Sequence, residues 1–563
     1  LPGKPKASDL VSRIASADPD ERMPPDDEPP LTPAEVALVS RWIAEGAAWD
    51  AGFTFKKKEY AAPLRPRRPE LPPARPGLEH PIDRIVDAYF ASHGVAWPQR
   101  LDDAAYQRRL YLDVIGLLPA LDEIDTFAAD TAADKDSRLV RSLLDDRRAF
   151  ADHWMTFWND LLRNDYSGIG FREDGRHQIT SWLYDALLNN KPYDQFVREL
   201  VSPSEESKGF GHGIQWRGRV NASQVREIQF SQNLSQVFFG INMKCASCHD
   251  SFIDRWKLDD AYALAAVIAE KPIEIYRCDK ATGEMAQARF LWPELGSIDP
   301  AASRAERLAQ LSKLVTHRDN GRFQRTIVNR LWQRLFGRGI VHPVDVMAGE
   351  PWSADLFDYL GTYLVDADYD LKRVLEHIAT SRIYRAQHAS LESVVPGDDY
   401  VFRGAELKRM TAEQFIDAIY TLTGTQAAKL GAKLKPPHAS RKDRSYTRSS
   451  LTTLDPLQRS LGRPNREQVV TTRADLLTTL EALDLSNGQP LAELLDRGAK
   501  ELLKQRTTGT ALGGELFRHA LSRDPTADEQ ATLNEIIGAK PTAESVTDLL
   551  WTICMLPEFQ LVR

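Results

Sequence analysis

The chain has 563 residues, 42% hydrophobic and 27% charged, an ordinary globular composition with room for several domains at ~100–200 residues each. A formal net charge of −8 and a pI near 5.9 exclude a broadly basic nucleic-acid footprint. No apolar run approaches the roughly 18–20 residues that span a bilayer, and four cysteines are too few for a disulfide scaffold.

Residues 1–50 read as a small unit closed by a helix. Thr32 suits the N-cap, Pro33 the first helical position and Glu35 the capping box, while Val36, Val39 and Ile43 recur at helical spacing before Gly46. So short a unit buries little apolar surface, so it reads as the tail of something larger. Residues 51–81 carry seven prolines and a basic cluster. They predict an extended, semi-rigid linker, either a solvated tether or a strip that docks on anions.

From Ile82 the pattern is helical: Ile82, Ile85, Val86, Tyr89 and Phe90 share a face, and AAYQRRLYLDVIGLLP stops at Pro119. ADHWMTFWNDLLRND and ITSWLYDALLNNKPYDQFVREL carry aromatic stripes, which predict core rather than a cofactor box. A helix over 221–239 ends at Gly240. In the second half, NGRFQRTIVNRLWQRLFGRGIVHPVD predicts a helix with a basic face, DLFDYLGTYLVDADYDLKRVLEHIATSRIYRA two helices and MTAEQFIDAIYTLTG another. Residues 428–450 read as a long surface loop, and amphipathic helices follow near 512–522 and 543–556. No fixed-period repeat and no convincing alternation of strands is present. The predicted fold class is mainly α, a multi-domain helical protein with long irregular loops, divided into 1–50, 51–81, 82–300 and 301–563.

The segment GINMKCASCHDSFIDRW holds Cys245, Cys248 and His249, a C-x-x-C-H motif that arises by chance in such a composition only about 6 × 10⁻⁴ of the time. Two thiols one helical turn apart can add to the two vinyl groups of a porphyrin, with the adjacent imidazole as proximal ligand of the iron: a covalent haem c site. A redox dithiol expects a βαβ context, and structural zinc expects four ligands where no second CxxC or HxxxH occurs. These remain the alternatives. His153, His342 and Met347 are the candidates for a distal ligand, Met243 being too near in sequence to cross the ring. Cys278 and Cys554 read as buried or free thiols. Asp250, Arg255 and Trp256 flank the motif as pocket residues, or as a helix cap and a packing ring. No pattern singles out a catalytic base.

Several stretches together resemble the large planctomycete-type cytochrome c proteins, in which a small cytochrome c domain precedes two domains of unknown function. SRIASADPDERMPPDDEPPLTPAEVALVSRWIAEGAAWD is similar to the C-terminal half of the cytochrome domain, and DRIVDAYFASHGVAWPQRLDDAAYQRRLYLDVIGLLP with FFGINMKCASCHDSFIDRWKLDDAYALAAV to the second domain. GRFQRTIVNRLWQRLFGRGIVHPVD, YDLKRVLEHIATSRIYR, LGRPNRE, LSNG and LFRHALSRDPTADEQ resemble the third. The resemblance implies helical layers around haem, with Met23 as iron ligand of the first domain, conditional on a CxxCH that this chain lacks upstream of it. A redox partner or a separate cytochrome half would then complete that site. Many relatives continue their motif as CxxCHDHPF, whereas Ser251 and Phe252 stand here, which removes any role of that second histidine.

Three functions follow as expectations. The first is a c-type haem oxidoreductase acting on a sugar or other small polar substrate, because the family belongs to polysaccharide-degrading bacteria, with electrons leaving through a cytochrome c domain. The second is a non-catalytic electron relay or scaffold for a partner enzyme. The third is a carbohydrate-binding envelope protein. Covalent haem attachment predicts a periplasmic or otherwise exported location, compatible with a chain that starts at Leu1 as a processed or trimmed product. No nucleic acid and no membrane span is expected.

Overall fold

The computed structural model describes residues 2–562 except 19–20, 26–27, 49–59, 61, 167–171, 174–178, 213–214, 217–219, 390–399, 428, 435–446, 475 and 506–508. The start of the expected linker and the middle of the 428–450 loop therefore lie outside the described residues. Helix dominates, as periodicity predicts. Strands are confined, among the described residues, to three two-stranded antiparallel ribbons. No helix there is long and apolar enough to cross a membrane.

Contacts divide the chain into two compact units, Leu1–Tyr60 and Ala61–Arg563. In the first, the helix Pro33–Ala44 starts as its sequence dictates. Thr32 Oγ1 accepts from the Glu35 amide at 3.3 Å and the Thr32 amide donates to the Glu35 carboxylate at 2.7 Å. Few of its apolar side chains find cover. Ile14 and Ile43 are buried, while Leu10, Met23 and Leu38 stay exposed.

Within Ala61–Arg563, packing ignores the sequence divide near residue 300. One cluster of buried apolar side chains runs from Ile82 to Leu451, with Tyr193 stacked on Phe323 at 4.8 Å. A second cluster joins Leu112 and Leu118 to residues from Met410 to Val562. Polar contacts interlock likewise. Arg109 donates to the carbonyls of Tyr384 and Ala386 at 2.7 and 2.8 Å, and Arg108 to those of Phe559 and Leu561, each at 2.9 Å.

Residues 62–80 do not hang as a solvated tether. Arg67 Nε donates to Asp358 at 2.7 Å, Arg68 grips Asp366 through two bonds of 2.7 Å, and Arg75 pairs with Asp87. The anions sought by the basic cluster belong to this chain. The basic face of the helix Gly321–Phe336 is likewise turned inward: buried Arg325 donates to Asp358, and buried Arg330 reaches the carbonyls of Gln236 and Val237. Guanidinium groups can span to neighbouring elements and satisfy several acceptors at once.

Burial also fixes a pair of neutral histidines. His80 and His377 lie 4.5 Å apart, ring to ring, and His377 Nε2 is 2.9 Å from the Tyr359 hydroxyl. Burial lowers their pKa values to about 4 and about 3. A histidine depressed on folding binds its proton more readily in the unfolded chain, so its contribution is complete above the unfolded value near ~6.5 and shrinks as pH falls below it. Asp83, raised to about 6 by burial, works in the opposite sense between its unfolded and folded values. The His377→Phe variant, which retains a ring against Tyr363, is expected to lose less stability than wild type between pH 6.5 and 4. Urea midpoints across that range check this, and parallel curves would refute it.

Candidate functional site

The helix Arg226–Phe239 delivers the cysteine motif. It stops at Gly240, whose φ is 58°; a Cβ there would lie 2.2 Å from Met347 Cγ, so the close approach demands glycine. Ile241 and Met243 are buried and anchor the exit. One tight turn follows: the Ser247 amide donates to the Met243 carbonyl at 2.9 Å, and the Cys248 and His249 amides to the Cys245 carbonyl at 3.0 and 3.1 Å. Ala246 and Ser247 face inward, Ser247 held by Gln232 at 2.8 Å, which leaves Cys245 exposed and Cys248 and His249 partly so.

His249 Nδ1 lies 2.8 Å from the Asp250 carbonyl, and its ring stacks on Phe252 at 4.6 Å. A hydrogen bond at Nδ1 fixes the ring and leaves Nε2 as the free lone pair, the orientation an axial iron ligand needs. Phe252 and Ile253, beside the thiols, are 82% and 83% exposed. Large apolar side chains so bare next to two accessible thiols form a surface that a flat apolar ring would cover. Asp250 acts as a cap: its carboxylate accepts from the Leu258 amide at 3.0 Å, at the start of the helix Leu258–Ile268. Trp256 is a packing ring, buried edge-on against Trp292 with the Arg255 guanidinium 4.5 Å above it.

Sequence reasoning missed what lies beside Cys248. Strands Glu274–Arg277 and Lys280–Met285 form a hairpin with Cys278 and Asp279 at its tip, at φ 46° and 65°. The Cys278 amide donates to the Cys248 carbonyl at 3.0 Å, and Asp279 Oδ1 accepts from the Ala222 amide at 2.7 Å. Cys278 is exposed and all four cysteines are free. The second strand is exposed throughout and so lacks the polar–apolar alternation that announces a strand; Asp279, a residue that tolerates the left-handed region, was the available signal of a turn. Cys554 is buried in the second apolar cluster, and burial pushes its thiol pKa well up.

The hairpin tip also borders a cleft of about 940 Å³, walled by Tyr262, Tyr276, Asp279, Glu227, Arg226 and Arg304 among others. The motif adjoins this wall through the hairpin tip, where Cys278, hydrogen-bonded to the Cys248 carbonyl, precedes the lining residue Asp279. The volume is at the upper end of the ~300–1,000 Å³ typical of small-molecule sites, and its charged rim suits polar ligands.

None of the three distal candidates is among the contacts of His249 in the described residues. Met347 is buried against Gly240, with Sδ 3.6 Å from Asn329 Nδ2. His153 is buried against Gly116 and Arg334, held neutral chiefly by burial. His342 is exposed. Met23, at 45% exposure, belongs to the first unit. No three His, Cys, Asp or Glu side chains among the described residues converge as a metal-ion site, so Cys245, Cys248, Cys278 and His249 do not form a ready zinc cage.

Three family matches run in order along the chain. Residues 1–27 match planctomycete cytochrome C, residues 81–272 a protein of unknown function (DUF1549) that contains the motif, and residues 306–537 a protein of unknown function (DUF1553). The chain belongs to the planctomycete-type cytochrome c proteins. No curated protein and no solved structure matches it. Membership brings a cytochrome-linked role and c-type haem to the protein as a whole. As a planctomycete-type cytochrome, the chain combines that expectation with a turn whose thiols, free imidazole nitrogen and bare apolar neighbours fit a covalent porphyrin.

Proposed function

We propose that this chain is a c-type haem oxidoreductase, with haem bound through thioethers at Cys245 and Cys248 and His249 as proximal ligand, acting on a sugar or other small polar molecule. Haem supplies one-electron chemistry, and the protein supplies placement. His249 would hold the iron through Nε2 while the Asp250 carbonyl fixes its ring. Arg255, in the loop after the motif, and Arg322, in the first turn of the helix Gly321–Phe336, make no ion pair among the described residues, and Arg255 acts electrostatically on Arg322. With Lys244, which precedes Cys245 and bonds the neutral Gln468 side chain, they would offer positive charge to the porphyrin carboxylates. Electrons would pass to a cytochrome c domain, and attachment would take place after export.

The observation that carries the reading is the polar cleft sharing the tip of the hairpin with the motif. It offers a small polar substrate a place to bind beside the thiols, which an electron carrier does not need. A second reading, an electron relay, is favoured by the exposure of Cys245, Phe252 and Ile253, which suits a docking partner. Addition of carbon monoxide to the reduced, haem-loaded protein separates them. The oxidoreductase reading predicts a shifted Soret band from an accessible sixth position, and a six-coordinate spectrum indifferent to carbon monoxide and cyanide would leave the relay standing in its place.

A further inference from the structure

A second cavity, of about 200 Å³, opens inside Ala61–Arg563, where the helices Arg147–Leu162 and Gly321–Phe336 meet the segments 406–411, 470–474 and 476–478. Its wall is rich in cations, and nearly every one is spoken for. Arg330 faces Asp345 at 3.3 Å, and Lys408 Nζ donates to Asp113 at 2.5 Å. Arg409 forks onto Glu481 at 2.9 and 2.6 Å, and Arg473 bridges Asp160 and Glu413 at 2.8 and 2.7 Å.

Arg334 is the exception. It lines the same cavity, yet its one side-chain hydrogen bond is a long contact of Nη2 with His153 Nε2 at 3.5 Å, and it has no carboxylate within ion-pair reach among the described residues. The imidazole supplies no negative charge in either of its protonation states, and burial together with Arg334 and Arg448 keeps His153 neutral. Burial first, and then Arg473, pull the Arg334 guanidinium below its ordinary value, while Asp113, Glu413 and Asp160 act from farther off in the opposite sense. An arginine does not give up its proton in such a position, and Arg334, partly buried and without an ion pair among the described residues, keeps its charge open to an anion that enters the cavity.

The geometry points to an anion site: the cavity beside Arg334 binds one small oxyanion group, either a free tetrahedral anion or the carboxylate of a small organic acid. Planar N–H forks match both shapes. Thr411 and Thr472 line the cavity and add hydroxyls for the remaining oxygens, the Thr471 hydroxyl being given to Asp345 at 2.6 Å. The volume falls below the ~300–1,000 Å³ of ordinary small-molecule pockets, which favours an isolated anionic group over an oligosaccharide. The inference does not depend on haem.

Isothermal titration of the full haem-loaded chain with inorganic phosphate, and separately with acetate, in a low-salt buffer tests it. Saturable one-site binding is expected, weakened about tenfold or more in Arg334→Gln and less in Arg334→Lys. Binding of acetate as well as phosphate would assign a carboxylate-bearing ligand, and binding of phosphate alone a tetrahedral one. Because Arg334 pairs with no carboxylate, Arg334→Gln should unfold at a midpoint no lower than wild type without anion. Equal phosphate affinity in wild type and Arg334→Gln, or no saturable binding of either anion, overturns the proposal.

Discussion

Replacing Cys245 and Cys248 together with alanine should give exported protein with native helix content and no covalently attached porphyrin. Intact mass and a pyridine-haemochrome spectrum read the result. The scaffold survives because neither thiol supports it. Both are free and at least partly accessible, and the turn is closed by backbone amides and by Ser247, whose bonds an alanine leaves in place. Substitutions of this kind alter stability by about 0.5 kcal/mol or less before any contribution of bound haem is lost. Each single alanine variant keeps one possible thioether and should retain porphyrin in reduced yield. Cys278→Ser serves as the internal control. It removes a third thiol from the same surface but touches Cys248 only through the backbone and a long Sγ contact of 3.7 Å with its carbonyl, so full attachment is expected. A wild-type chain of bare mass after export through a competent haem-attachment system would overturn the reading, and so would loss of porphyrin in Cys278→Ser alone.

Asp160→Ala should be among the most damaging single changes in Ala61–Arg563. Asp160 accepts from Arg466 Nε and Arg473 Nε, each at 2.8 Å, and both guanidiniums are largely buried. Removing the shared carboxylate strands two cations, and breaking a buried pair typically costs about 3–5 kcal/mol. Exposed Arg68, paired with Asp366 at the surface, gives the contrast: Arg68→Ala should cost about 1 kcal/mol or less. Urea unfolding followed by circular dichroism checks the ranking, and equal losses would sink it. The same network carries an acid sensitivity. Burial alone would raise Glu413, but Arg473 and Arg463 hold its carboxyl far below the usual carboxylate range. A depressed carboxylate stabilises the fold above its unfolded value near ~4.3, and that contribution drains away as pH falls further.

Much of this was legible before any coordinates. The Thr32–Glu35 box, the stop at Gly240 and the inward-facing tryptophans Trp154, Trp158 and Trp332 follow from spacing alone, because helix caps and apolar stripes are local. The 245–249 turn was legible for the same reason. What escaped was non-local. Arg325, Arg330, Arg463 and Arg466 look like surface charges in sequence, and their carboxylates at Asp358, Asp345, Glu413 and Asp160 lie 15 to 306 residues away. Cys278 was unreadable as a neighbour of Cys248 because 30 residues and an exposed strand separate them. Composition left the proline-rich stretch between a tether and a strip that docks on anions, because the carboxylates that decide it, Asp358 and Asp366, lie far downstream.

The apolar cluster that runs from Ile82 to Leu451 has a practical and an evolutionary reading. A fragment cut at residue 300 would be born with half an interior, its Tyr193 deprived of Phe323 and its Arg109 of the carbonyls at Tyr384 and Ala386. Such a piece should precipitate rather than fold, so neither half can be studied, or inherited, without the other. The two segments recognised as separate families are one indivisible body, and gain or loss of either in a genome should be matched by its companion.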